Sequence, residues 1–317
     1  MSDTLVSRFV VVGSVGLFAS LVSAGERSYT FYNIFYGFCQ SDPMSEATDV
    51  NDSGVVTGYF LTGDCVHPHG FSWVNAVMTD LDKAYEDGVF YGVEAISQTG
   101  VILGFGDPDE VLALRLPNGL AFPLPTPPGC ETQSNDRGIN DAGTMAVGSC
   151  DSNGSAVFVP AVYWIDEGMS LDLEMLPGLP DDADAEATGV NDDGVVVGKV
   201  LSGEQRSFYW IDGELTEILN LLGGQGVIAN AINNHGLIVG LAGTADDFPA
   251  MSYDMNTGVM TVLGSGAAQD VNDRGSAVGR DIIDFIATHV ILYENGEAID
   301  LSPFFPPALT DVNRANA

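Results

Sequence analysis

Carboxylates are the chemical resource of this sequence. Its 317 residues include 44 Asp plus Glu against 10 Lys plus Arg, a formal net charge of −34. Crowded acids offer hard oxygen ligands to calcium, and two acids that face each other can perform acid–base or nucleophilic work on a glycoside. The densest run is Asp181-Asp182-Ala183-Asp184-Ala185-Glu186, directly after Leu-Pro-Gly-Leu-Pro. Asp193 stands immediately before Gly194 in GVNDDG, where a calcium loop needs a carboxylate. In DVNDSG (49–54) and DVNDRG (270–275) the Asp comes one residue too early. Asp181, Asp182, Asp184, Glu186 and Asp193 are therefore the candidate cation ligands. The plainer readings are a solvated charge run and a turn whose Asn and Asp bond their own backbone. No cofactor is expected, and calcium is the one candidate.

Other constellations are thinner. His67-Pro68-His69 has two of the three or four ligands a transition metal needs, and reads as an exposed loop. Arg115 takes a place where other copies of a repeat have an aromatic; it is expected to face the interior or to pair with Asp107 or Asp109. G-x-S-x-G, H-E-x-x-H and a phosphate loop are absent. No spacing selects Ser155, Asp166 and His289 as a triad, so catalytic residues stay unassigned. The charge excludes nucleic acid as a partner, because a polyanion is bound by clustered Lys and Arg, and it argues against anionic lipid. An apolar content of 45% excludes a disordered acidic tail.

These residues must be positioned by repeated elements. Six copies of one phrase occur: ATDVNDSGVVTGYF (47–60), VEAISQTGVILGF (93–105), NDRGINDAGTMAVGS (135–149), ATGVNDDGVVVGK (187–199), ANAINNHGLIVG (229–240) and AQDVNDRGSAVG (268–279). Asn51/Gly54, Asn140/Gly143, Asn191/Gly194, Asn233/Gly236 and Asn272/Gly275 bound the turn; Ser97/Gly100 is the degenerate copy. A second Gly follows four residues after the first in five copies and five residues after it in the third. A period near 43 residues signals a repeat array. Each copy continues into an aromatic run, a second turn and a closing Leu, as in RSFYWIDGELTEIL. That makes about four short strands per repeat, with Gly supplying the positive φ of tight hairpins. The expectation is an all-β propeller of six blades, seven being the alternative count. SYTFYNIFYGF (28–38) looks like a leftover last strand and 308–317 restarts a first strand, so terminal strand pairing is expected to close the ring.

Residues 1–24 have the layout of a secretory signal peptide: Arg8, an uncharged Phe9–Val22 stretch, and small residues before Gly25. The mature chain is then expected to be a single propeller domain over 25–317, secreted or periplasmic, with no transmembrane segment. Cys39, Cys65, Cys130 and Cys150 suit that compartment. Each of the pairs Cys39–Cys65 and Cys130–Cys150 brackets the first hairpin of its own repeat, so each is expected to form a disulfide of about 2–4 kcal/mol.

The A-x-x-I-N-x-x-G-x-(I/V)-V-G phrase resembles the bacterial extracellular HAF repeat family over roughly residues 30–317. AINNHGLIVG (231–240) and GVNDDGVVVG (189–198) match best. The resemblance implies a secreted or surface protein with a propeller-like fold and says nothing of activity. The expected function is a non-catalytic module that binds an extracellular ligand, glycan or protein. The alternatives are a polysaccharide hydrolase or lyase with a carboxylate pair at the central channel, and a structural matrix or envelope component.

Overall fold

The recurring tetrapeptide makes the turn its residues suggest. In a computed structural model of the protein, Gly54 N–H donates to Asn51 C=O at 2.8 Å, and Asn51 N–H donates to Val55 C=O at 3.1 Å. Gly54, Gly100, Gly143, Gly194, Gly236 and Gly275 all have φ between 72° and 86°, the left-handed region that glycine enters without a steric penalty. The structure describes residues 20–24, 27–31, 45–61, 68–81, 90–106, 111–124, 130–133, 138–152, 158–165, 171–175, 184–201, 205–283 and 287–304.

Each repeat is one four-stranded antiparallel sheet in sequential order, and the six sheets are the blades of a six-bladed β-propeller. They span residues 45–80, 90–123, 130–175, 185–218, 227–264 and 267–300. Blade 4 shows the plan: Ala185–Val190, Val196–Val200, Arg206–Ile211 and Glu214–Ile218. In blade 3 the first strand is in two pieces, Cys130–Gln133 and Gly138–Ile139, both paired with Met145–Ser152. The second hairpin closes on Asp212-Gly213 and Asn295-Gly296, each with both φ values positive, the pattern of the two-residue turn that matches strand twist.

The second recurring glycine has a different cause. In blades 1, 2, 4, 5 and 6 the first strand carries a bulge, at Thr48, Glu94, Thr188, Asn230 and Gln269. A bulge sets two residues against one. Beside it the first-strand carbonyl is pressed against the second strand. A Cβ on Gly58, Gly198, Gly240 or Gly279 would collide with the carbonyl oxygen of Glu46, Glu186, Ile228 or Ala267.

Both faces of the blades are apolar, which is why the second strands read as unbroken runs. Val196 packs toward Met145, Val147 and Val162 of blade 3, and its neighbour Val197 packs toward Val227, Ala229 and Ile238 of blade 5. Val239 and Ala250 of blade 5 meet Ala268, Val271 and Ile291 of blade 6. Each such side chain contributes about 1.5–3 kcal/mol on burial. The aromatic position of the third strand faces the second strand in matching register: Val56↔Trp73, Met145↔Trp164, Val196↔Trp210, Ile238↔Tyr253 and Ala277↔Tyr293.

Two compact units divide the chain. One contains Met1–Phe122 with Phe304–Ala317, and the other Pro123–Pro303. Blades 1 and 2 fall in the first and blades 3 to 6 in the second. Arg27–Phe31 pairs with Ser20–Ala24 as a separate two-stranded sheet. The expected closing strand at 308–317 lies outside the described residues, as do residues 1–19, Cys39 and Cys65. Cys130 stands opposite Ser152, and Cys150 opposite Gln133, on adjacent strands.

Candidate functional site at the first-hairpin turns

The turn asparagines work in two directions. Their Oδ1 accepts the N–H four residues on: Val55 to Asn51, Val195 to Asn191, Leu237 to Asn233 and Ser276 to Asn272, at 2.9–3.1 Å. Asn140 does the same with Thr144 and accepts from Met145 as well. Their Nδ2 donates to the next blade: Asn51 to Ser97 C=O at 3.2 Å, Asn191 to Asn233 C=O at 3.1 Å and Asn233 to Asn272 C=O at 2.9 Å. Asn51, Asn140, Asn191 and Asn233 are buried, so each is a polar group that must be satisfied internally.

The residue after the asparagine reaches back to the preceding blade. Gln98 Oε1 accepts from Asp52 N–H at 2.7 Å, Asn234 Oδ1 from Asp192 N–H at 2.8 Å, and Asp273 Oδ1 from Asn234 N–H at 2.9 Å. Asp192 Oδ1 accepts from Ala142 N–H at 2.9 Å. In the unit of blades 3 to 6 these anchors bring four side chains together. Asn234 Nδ2 donates to Asp141 Oδ2 at 2.7 Å and to Asp273 Oδ2 at 3.2 Å. Two carboxylate oxygens thus share one amide nitrogen and lie no more than about 6 Å apart, compatible with the roughly 5–5.5 Å spacing of retaining glycosidases. Asp192 and Asp273 are exposed, Asp141 and Asn234 half-buried.

Behind this group stands Asp270, whose Oδ1 accepts from Val271 N–H at 2.8 Å. Asp270 is exposed to solvent, yet the protein around it costs its carboxylate some hydration and pushes its pKa upward; the Val271 bond opposes this and the charge of Asp141 adds to it. The corresponding residue of blade 1, Asp49, spends its second oxygen on the next blade, where it accepts from Ile96 N–H at 2.7 Å. Elsewhere this position is small, and Gly138 and Gly189 let neighbouring first strands come within backbone contact.

Within each unit the turn residues expected from sequence link neighbouring blades; of the expected cation ligands, Asp184, Glu186 and Asp193 fall at separate places. Asp181 and Asp182 lie outside the described residues. Asp184 precedes the first strand of blade 4 and its carbonyl accepts from Leu201 N–H. Glu186 is buried and ion-paired with Lys199 at 3.3 Å across the strand pair. Asp193 is exposed on the turn beyond the far end of that strand, about 20 Å from its start at a strand's rise per residue. Among the described residues no group of three or more His, Cys, Asp and Glu is arranged to hold a metal.

The histidine reading needs correction. His67 lies outside the described residues, but His69 is in the strand Pro68–Val74, not an exposed loop. Its Nδ1 lies 3.2 Å from both oxygens of Asp80, and its ring is 5.6 Å from that of Phe60. His289 repeats the pairing with Asp300 at 2.6 Å. The shared signal was a His four residues before the aromatic and an Asp before the closing Leu. Arg115 sits opposite Ile102 on a third strand, in the aromatic's register and away from the first strand; Asp107 and Asp109 lie outside the described residues. The back-reaching residue was missed, although all six copies carry an acceptor-bearing side chain there: Asp52, Gln98, Asp141, Asp192, Asn234 and Asp273.

No family signature and no curated protein matches the sequence. Solved structures match the fold. The β-propeller domain of the Trilobed protease from Pyrococcus furiosus, described as having an open velcro topology, aligns at 11% identity and a TM-score of 0.55, covering 83% of this chain and 84% of that one. Pyrococcus horikoshii acylaminoacyl peptidase aligns at 13% identity and a TM-score of 0.53, over 84% of this chain and 47% of its own. TolB from Acinetobacter baumannii aligns at 12% identity and a TM-score of 0.48, over 76% and 61%. This chain is a β-propeller. It spans about three fifths of that TolB and under half of that peptidase.

Proposed function

We propose that the protein is a secreted, non-catalytic propeller of the HAF-repeat kind that binds a hydroxyl-rich glycan at the first-hairpin turns of blades 3 to 6. The observation that carries this reading is the convergence of Asp141, Asp192, Asn234 and Asp273 from four separate turns. Carboxylates accept from sugar hydroxyls and a carboxamide both donates and accepts. The groups are held by backbone bonds before any ligand arrives, which lowers the ordering cost of binding. A glycan array followed by calorimetry tests it. Saturable binding that Asp192→Ala and Asp273→Ala weaken supports the reading; an array blank for both neutral and basic glycans overturns it.

A second reading rests on the Asp141–Asp273 pair. Two carboxylates that close can act as acid and nucleophile on a glycoside. Release of reducing ends from a polysaccharide panel, lost in both Asp141→Asn and Asp273→Asn, selects this reading over simple binding.

The layout of residues 1–24 supports secretion, and mass spectrometry of the mature N-terminus at Gly25 tests it. Cys130 and Cys150 fall on adjacent strands but stand opposite Ser152 and Gln133 rather than each other, and non-reducing peptide mapping tests both expected pairings. No helix among the described residues is long and apolar enough to cross a membrane.

A further inference from the structure

We infer that the loop joining blades 4 and 5 (219–226) and the loop joining the second and third strands of blade 5 (243–249) together form a docking platform for a cationic, amphipathic segment of another protein. The surface is independent of the glycan reading. Strands alternate in direction, so the loops 219–226 and 243–249 lie at the end of their sheets opposite the first-hairpin turns.

The loops are inside out. Leu219, Leu221 and Phe248 are 64%, 54% and 48% exposed, while the polar Asn220 between the leucines turns inward. Its Nδ2 donates to Gly226 C=O at 2.9 Å and to Gly243 C=O at 2.8 Å, and its Oδ1 accepts from Leu222 N–H at 2.8 Å. Single exposed apolar residues need no explanation. A loop that buries its amide to display two leucines beside an exposed phenylalanine has the mark of an interaction surface.

The display is rigid. Gly243 N–H donates to Gly226 C=O at 3.0 Å. Gly224 and Gly243 pack backbone on backbone, so that a side chain on either would strike Thr244 or Gln225. The second loop is closed by Thr244 N–H to Asp247 C=O at 2.7 Å and Asp247 N–H to Thr244 Oγ1 at 3.0 Å. Phe248 N–H donates to Asp247 Oδ1 at 2.8 Å. Little freedom is left to lose on binding.

Charge selects the occupant. Asp246 and Asp247 are exposed beside Phe248, and Glu217, in the extended stretch leading into the loop, precedes Leu219 at the spacing that places both on one side. A second copy would bring the same acids, on a chain of net charge −34, against these acids. A partner with large apolar side chains interleaved with Lys or Arg satisfies both parts.

The test uses the full chain and a labelled peptide of Lys, Leu and Phe, with a matched peptide in which Glu replaces every Lys. The Lys peptide binds saturably in anisotropy titrations, and Leu221→Ser and Phe248→Ser each weaken it by about tenfold. Val77→Ser, at a site 62% exposed in blade 1, leaves it unchanged. Equal binding of the Glu peptide, or full affinity in both loop variants, overturns the proposal. So does a dimer in sedimentation that Leu221→Ser dissolves, because a second copy would then be the occupant. All three sites are exposed, so thermal melts confirm that each variant stays folded.

Discussion

Asn234 in blade 5 donates to Asp141 in blade 3 across 2.7 Å, although 93 residues and the whole of blade 4 separate them in the chain. The other turn contacts run from each blade to its neighbour. This one passes over a blade, so the turns of one unit are tied crosswise at the point where Asp141 and Asp273 share one amide. The amide is the neutral member that lets Asp141 and Asp273 sit together, since it donates to both.

Asn234→Asp replaces that donor with a third carboxylate. Loss of a partner by the half-buried Asp141 costs about 1–3 kcal/mol, and like-charge repulsion adds to it. Urea denaturation at neutral pH should place Asn234→Asp below Asn234→Ala, and both below the parent. An aspartate variant as stable as the parent would remove the bridge's role in holding the turns.

Asp270→Asn should have a stability effect that depends on pH. Although Asp270 is exposed, lost hydration and the nearby charge of Asp141 raise its folded-state pKa above its ordinary 3.8. A group shifted upward favours folding fully below its unfolded pKa, and that contribution is lost as pH rises through the folded value. Asparagine keeps the acceptor for Val271 N–H and never ionises. The variant should therefore gain midpoint over the parent at neutral pH, with the gain vanishing below about pH 4. A gain of equal size at both ends of the range would refute the titration argument.

The blades were legible because a hairpin is local. The Asn and the Gly three residues on specify the turn within one short phrase, and Val, Trp and Tyr runs specify the strands beside it. The glycine four residues later was visible as a recurrence but not as a necessity. Its cause is a bulge on the partner strand, and a bulge is a relation between two strands. The site was less legible for the same reason at longer range. Nothing in the phrase around Asp141 tells which blade supplies the amide it accepts from. The acidic run at 181–186 drew attention through composition, yet Glu186 is answered by Lys199, 13 positions later, through strand register alone. His69 looked like a loop residue because Pro68 precedes it, but proline is tolerated as the first residue of a strand.

Gly240→Ala tests the bulge argument. A methyl group there would be forced into the Ile228 carbonyl oxygen, which the bulge at Asn230 holds against the second strand. Overpacking of this kind costs about 1–3 kcal/mol or more. At Gly213 a Cβ would meet nothing within 4 Å, and only the φ of +85° opposes it, a strain of about 1–2 kcal/mol. Urea midpoints should fall further for Gly240→Ala than for Gly213→Ala. The reverse order would mean that the strand yields and that the recurring glycine has another cause.

The His289–Asp300 pair gives an acid-side prediction. Partial burial raises the Asp300 pKa, but bonds from His289 and Ser302 outweigh it and hold the carboxyl below its ordinary 3.8. A carboxyl shifted downward stabilises the fold above its unfolded pKa, and that stability is lost as pH falls through the folded value. His289→Leu removes the largest of the lowering contacts. Because the pair is substantially solvated, screening limits the loss to about 0.5–1 kcal/mol at neutral pH. The difference between parent and variant should shrink as pH drops below about 4, where the parent's carboxylate is also being protonated. Urea midpoints from acid to neutral pH read the variant. A difference that stays constant as the carboxylate protonates would assign His289 to packing alone.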